Sequence, residues 1–310
     1  MNAHESIVKT FQQHITAPVL SVKRMESEAM NTVYRVDTRE GSFIFKRYVS
    51  SDWPEAGKVP YVEAKLTEYG IPHAELIFYK HDKDDYTNNY LIERFLPGSP
   101  ADVLAMTMDD ERKLYAKIGK LMSRVHTIPL TGYGYLGAGE ACCETFSEFV
   151  EFGDVHDKLQ GTVYSESALK KLMLKFKEAL KPCDILPSTI CHIDLAKKNI
   201  IINGESLTLI DWDCVYAFPW VCEIARLKVL LRQRYPHDAA DELLQIFPDS
   251  YTPPHGGMDI YFAHEDVLYA WFALTSVNSV VGKPEFKQQL HEFQAALGAL
   301  GWELKSDKSE

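Results

Sequence analysis

Apolar and polar residues alternate over 33–37 and again over 42–48, with Arg39-Glu40-Gly41 between them. That period of two predicts a pair of strands joined by a tight turn. Over 60–69 the spacing becomes helical, then stops at Gly70 with Pro72 just beyond. Two further apolar runs, 75–79 and 89–95, read as strands separated by a polar turn over 81–88. Leu96-Pro97-Gly98 breaks the pattern, and beyond Pro100 the period is helical. Thr107 and Asp110 stand at capping-box spacing, and Leu114, Ile118, Leu121, Met122 and Val125 fall on one helical face. More helices are predicted over 165–180, 221–234, 239–246, 265–281 and 286–300. Ile7, Val8, Phe11 and Ile15 predict a short packed helix at the start. The short apolar runs 200–202 and 207–210 flank Asn203-Gly204, a strong hairpin signal.

The chain is therefore expected to be α+β. A small β-rich part over 1–97 precedes a larger, mostly helical part over 98–310, with 96–98 as the hinge. A ligand is expected in the cleft beneath that hinge.

Polar residues of catalytic type gather around the predicted hairpin. Cys191-His192-Ile193-Asp194-Leu195-Ala196-Lys197-Lys198-Asn199 leads into it, and Ile210-Asp211-Trp212-Asp213 leaves it. The hairpin should bring Asn199 and Asp211 together. An Asp with an Asn five residues later means little alone; His192 before it and an apolar hairpin ending in a second acid make the pattern specific. One carboxylate to orient a hydroxyl, with an amide oxygen and another carboxylate for Mg²⁺ on nucleotide phosphates, suits phosphoryl transfer.

His192-x-Asp194-Leu195-x-x-x-Asn199 followed by Ile210-Asp211-Trp212-Asp213 resembles the core of the aminoglycoside phosphotransferase and choline kinase superfamily. These are small-molecule kinases with a bilobal protein-kinase-like fold, and the resemblance runs from about residue 23 to about residue 231. It implies ATP (or GTP) and Mg²⁺ as cofactors and a hydroxyl as phosphate acceptor. Asp194 would orient that hydroxyl, with His192 supporting the loop, and Asn199 and Asp211 would be metal ligands. Asp213 is either a further carboxylate at the metal or a cap. Lys46 would engage the α- and β-phosphates, with Glu63 as its salt-bridge partner. Ser27 and Asn31, in a glycine-free loop over 25–32, would donate to phosphate, as would Thr32. Backbone groups over Glu93 to Phe95 would bind the purine. The family usually has Gly between the His and the Asp. Here Ile193 stands, and a β-branched residue is ill suited to positive φ, which argues for a different local backbone.

The net charge of −11 argues against a nucleic-acid partner and is compatible with a cationic acceptor. Glu148, Glu151, Asp154 and Asp157 recur every three residues and would form one acidic helical stripe; Glu265 and Asp266 open a late helix. Either group is a candidate for an amino sugar or quaternary amine, against the plainer reading of a solvated face. Tyr261, Phe262, Tyr269, Trp271 and Phe272 are either a pocket lining or core. No apolar run reaches membrane-spanning length, and the first residues lack a signal-like core. The six cysteines contain no Cys-x-x-Cys pair, so reduced thiols in the cytoplasm are expected. The protein is expected to be a monomer or homodimer.

An aminoglycoside or related amino sugar is the leading acceptor. Choline or ethanolamine, a methylthio-sugar, homoserine and a fructosamine are alternatives. A catalytically weak nucleotide-binding protein with a structural or regulatory role is the competing class. Ile193 and the glycine-free loop favour it; Asp194, Asn199, Asp211 and Lys46 disfavour it. A protein kinase fits less well, because no Asp-Phe-Gly, activation segment and Ala-Pro-Glu follow one another.

Overall fold

Strands form where alternation predicts them. The computed structural model describes residues 3–25, 31–50, 53–82, 89–153, 156–160 and 162–304. It divides into two compact units, and both are discontinuous in sequence. The first contains residues 1–105, 137–139 and 197–214; the second contains 106–136, 140–196 and 215–310. The sequence suggested a single cut after residue 97.

The first unit is built on a five-stranded antiparallel sheet of order β1-β2-β3-β5-β4. Its strands are β1 (Val19–Arg24), β2 (Thr32–Thr38), β3 (Gly41–Arg47), β4 (Leu76–Lys80) and β5 (Tyr90–Arg94). The period of two decides which side chains meet. Phe43 and Phe45 of β3 turn to one face and pack with Val36, Ile92 and the residues Ile7 and Phe11 of helix α1 (Ala3–Phe11). Lys46 therefore lies on the opposite face. Helix α2 (Lys58–Glu68) begins two residues before the predicted start. It buries Lys58, Val62 and Leu66, one stripe at four-residue spacing.

The remainder of this unit is a small sheet of order β11-β10-β6, formed by β6 (Ser99–Pro100), β10 (Ile200–Asn203) and β11 (Ser206–Leu209). Asn203 pairs with Ser206, so the turn residues are Gly204 and Glu205, one position later than predicted. Gly98, expected to break the pattern, abuts β10: a Cβ there would stand 2.4 Å from the Ile202 carbonyl oxygen.

In the second unit, α3 (Met108–Val125) carries the expected capping box of Thr107 and Asp110. It packs against α7 (His237–Ser250), and α6 (Val221–Arg234) packs against α7 and α8 (Met258–Ser279). Gly119 lets α3 approach α7 closely, because a Cβ would meet the Phe247 carbonyl at 2.9 Å. Helices α4 (Phe146–Phe152), α5 (Glu166–Leu180) and α9 (Phe286–Ala299) complete the helical part. A four-stranded sheet of order β8-β7-β12-β9 comprises β7 (Tyr133–Leu136), β8 (Ala141–Cys143), β9 (Thr189–Cys191) and β12 (Tyr216–Phe218). The sequence did not predict these strands of three or four residues. It also started α8 seven residues late, because the exposed Phe262 and Ala263 stand among the apolar residues of its first turns and blur the period. Trp271 and Tyr261 of α8 are buried core residues. Among the described residues, no helix is long and apolar enough to cross a membrane.

Candidate functional site

In the first unit, β3 points Lys46 at the segment that leaves β11. Its ammonium contacts the Asp211 carboxylate and donates to Asp213 Oδ2 at 2.7 Å. Burial pulls the Lys46 pKa down, but the adjacent Asp213 and Asp211 carboxylates outweigh it and hold the group above the ordinary lysine range. Burial raises Asp213 above the usual carboxylate range, Lys46 opposes this, and Asp211 adds to it. Asp213 is thus a counter-ion of Lys46, a role the sequence did not single out.

Glu63 is not that partner. It lies beside the inward Val62 and stands 3.6 Å from His73 Nε2, because α2 turns Lys58 inward instead. Lys58 is fully buried, paired with Glu55, with its Nζ 3.3 Å from the Asp213 carbonyl oxygen.

Asn199 is buried at the start of the hairpin, and its carbonyl accepts from the Ile210 N–H at 2.9 Å. This bond closes the base of the hairpin beside Asp211, as the spacing implied. Asp211 has φ 70. Ligand atoms of Asp211, Asp213 and Cys214 lie within 4.8 Å of one another, and Asp213 Oδ1 is buried with no hydrogen-bond partner among the described residues. A buried, unsatisfied carboxylate oxygen beside another carboxylate fits a hard cation such as Mg²⁺; the Cys214 thiol does not belong to such a donor set.

At the strand expected to bind a purine, Phe95 donates its N–H to the Ser42 carbonyl at 3.0 Å, and Arg35 lies over its ring at 4.2 Å. The Phe95 N–H is committed to the sheet rather than open to a base. Glu93 lies on the Lys46 side of β5. Burial lifts its pKa to about 7 against the pull of Lys46, with Asp213 and Asp211 adding to the rise. Asn31 is half-buried where β2 begins, and Ser27 lies outside the described residues.

In the second unit, β9 delivers the loop that carries His192 and Asp194. Ile193 has φ 64, so the expectation of a different backbone was wrong. A left-handed conformation costs an L-residue roughly 1–2 kcal/mol. Glu223 of α6 offsets it: its two carboxylate oxygens accept from His192 N–H at 2.5 Å and Ile193 N–H at 3.0 Å. Arg226 donates to the Ile193 carbonyl at 3.2 Å. The fully buried His192 imidazole accepts from the Asp194 N–H through Nδ1 at 3.4 Å. Behind Glu223, His126 Nε2 stands 3.7 Å from its carboxylate, and His126 Nδ1 is 2.6 Å from the Tyr251 hydroxyl. No sequence signal linked Glu223, Arg226 or His126 to the loop, because each lies on, or just after, a helix distant in sequence.

The acidic stripe does not exist as one surface. Gly153 ends α4, Asp157 belongs to a separate 3₁₀ turn, and Asp154 lies outside the described residues. Glu148 accepts from the N–H groups of Glu144 and Thr145 as a helix cap, and Glu151 pairs with Lys177. Glu265 is paired with Lys228 at 2.5 Å; Asp157 and Asp266 are exposed.

A family model described as the phosphotransferase enzyme family matches residues 21–261. No curated protein matches the chain in sequence. Among solved structures, a thermostable mutant of aminoglycoside phosphotransferase APH(4)-Ia, in a ternary complex with ADP and hygromycin B, is 11% identical with TM-score 0.71, covering 97% of this chain and 98% of that one. Choline kinase LicA from Streptococcus pneumoniae is 16% identical with TM-score 0.63, covering 97% and 99%. A GDP complex of aminoglycoside 2'-phosphotransferase-IIIa is 12% identical with TM-score 0.63, covering 96% and 98%.

Proposed function

Because the chain belongs to the phosphotransferase enzyme family, we propose that it transfers the γ-phosphate of ATP or GTP to the hydroxyl of a small molecule. The observation that carries this reading is Lys46 set against two carboxylates, Asp211 and Asp213, at the base of a hairpin that starts with Asn199. Phosphoryl transfer has a loose transition state, so fixed charges and orientation matter more than a strong base. Asp194 would orient the acceptor hydroxyl and take its proton. His192 would hold the Asp194 backbone in place. Lys46 would leave its carboxylates to meet the α- and β-phosphates. Asn199 and Asp211 would hold Mg²⁺, with the Asp213 carboxylate beside them; bound there, the ion supplies charge neutralisation at the phosphates.

An aminoglycoside or related amino sugar is the acceptor we favour, supported by the likeness to APH(4)-Ia; choline is the next, supported by the likeness to LicA. Recognition of a cation would rest on Asp157 and Asp266, since Glu148, Glu151 and Glu265 already have partners. The weak nucleotide-binding alternative loses one of its two supports, because the loop keeps a positive-φ residue despite Ile193. The test is an ATP-consumption screen over hydroxylated amines and sugars, repeated with Asp194→Asn. Turnover on the preferred acceptor should fall about 10²-fold or more while nucleotide affinity stays the same. Near-normal turnover of the variant would overturn the role of Asp194. No consumption with any acceptor would favour the non-catalytic reading.

A further inference from the structure

Strand β8 ends in two consecutive cysteines, Cys142 and Cys143, whose sulfurs stand 3.7 Å apart. Successive residues of a regular strand send their side chains to opposite faces. Here the pairing slips: Tyr133 lies opposite Cys143 and Leu136 opposite Ala141, so β7 has one residue more than β8 across the paired stretch. A bulge of this kind adds local twist. Gly134 then makes room. A Cβ at that position, where φ is 102, would lie 2.7 Å from Cys142 Sγ. The Cys142 thiol uses this space to donate to the Tyr133 carbonyl at 3.6 Å. Cys142 is exposed and Cys143 half-buried, so both can be reached from solvent.

The geometry points to a two-sulfur capture site for a thiophilic centre, specifically a trivalent organoarsenical. A disulfide needs sulfurs about 2.05 Å apart, so this pair would have to close by roughly 1.6 Å across adjacent residues. A single bridging atom asks for much less. Sulfur–zinc bonds of about 2.3 Å at a tetrahedral angle hold two sulfurs about 3.7 Å apart, and the narrower angle of a pyramidal three-coordinate arsenic draws them only a few tenths of an ångström closer, far less than a disulfide requires. A four-coordinate metal is disfavoured, because the pair belongs to no group of three metal-ligating side chains among the described residues. An arsenical needs only the two sulfurs. In the reaction with an aryl arsonous acid, two S–H and two As–O bonds break and two As–S bonds form. Each thiol proton leaves with a hydroxide as water, and no electrons are transferred. The pair is suited to this rather than to attack on a disulfide, which requires a thiolate. Burial, then the hydrogen bond shared with Cys142, pushes the Cys143 thiol up to about 12.

Phenylarsine oxide and the full chain provide the test. Intact-mass measurement should show one adduct that survives excess glutathione and is removed by a dithiol. Cys142→Ser and Cys143→Ser should each weaken capture by about 10²-fold or more, because the second bond is intramolecular. Cys214→Ser should leave capture unchanged. In wild type, the arsenical should shield Cys142 from iodoacetamide, a measurement that does not depend on the variants folding. Absence of a glutathione-resistant adduct, shielding at other cysteines, or full capture by Cys142→Ser would overturn the assignment.

Discussion

Lys46 in the first unit and Glu223 in the second are both buried charged side chains that organise a backbone segment. Lys46 does so through charge, against Asp211 and Asp213. Glu223 does so through directed hydrogen bonds, holding two successive N–H groups of a strained turn. The first arrangement is exchangeable: a phosphate or a cation can take either side of the ion pairs. The second is not, because one carboxylate serves two successive backbone donors at once. The lesson is that the region expected to handle the nucleotide is stabilised by interactions that binding can replace, whereas the Asp194 loop is fixed in advance.

The sharpest way to break this comparison is Glu223→Ala. Leaving the buried His192 donor and the half-buried Ile193 donor without this carboxylate should cost about 3 kcal/mol in urea denaturation. A loss under about 1 kcal/mol would mean that the turn does not depend on the clamp. Next in size is Lys46→Met. With Asp211 and Asp213 relieved of their lysine, the nucleotide-free protein should bind Mn²⁺ about tenfold more tightly by calorimetry, a gain of about 1.4 kcal/mol. Unchanged affinity would show that Lys46 does not compete for those carboxylates. A smaller effect is expected from Ile193→Gly. Relief of the left-handed strain, less the extra entropy of Gly, should raise stability by about 0.5–1 kcal/mol. A destabilised variant would show that the isoleucine side chain contributes more than its backbone costs.

An effect of similar size concerns pH. The Glu93 pKa, about 7 in the folded chain, lies above the ordinary value of 4.5. The folded protein therefore holds this proton more tightly than the unfolded chain. The resulting stability is fully present below about pH 4.5 and is lost as pH rises through about 7. Partial exposure reduces it to the order of 1 kcal/mol. Thermal melting from pH 5 to 8 should show this decline, and Glu93→Gln should flatten it. An equal decline in the variant would assign it to other groups.

The contrast also explains what could be read from the sequence. Local periodicity located β2 to β5, α6 and the hairpin, but not β1 or the strands of three or four residues. It could not set the phase of α2, since packing rather than spacing decides that Lys58 and not Glu63 turns inward. The identity of a charge partner is a tertiary fact, as Asp213 shows for Lys46. Glu223 was invisible for the same reason: it lies 31 positions after His192 on another element. Ile193 was misjudged because propensity was weighed without its clamp. The acidic stripe was misread because a three-residue spacing says nothing about whether Gly153 lets the helix continue.

The 165 positions between Lys46 and Asp211 also have a consequence in time. At a synthesis rate of roughly 5–20 residues per second, the ribosome needs roughly 10–30 seconds after making the lysine before its first counter-ion exists. For that interval the five-stranded sheet can form, but the ammonium must stay hydrated, since burying it alone would be costly. The nascent amino-terminal segment should therefore remain open to chaperones and proteases on that side until the hairpin emerges, and the final closure of the first unit should come late in translation.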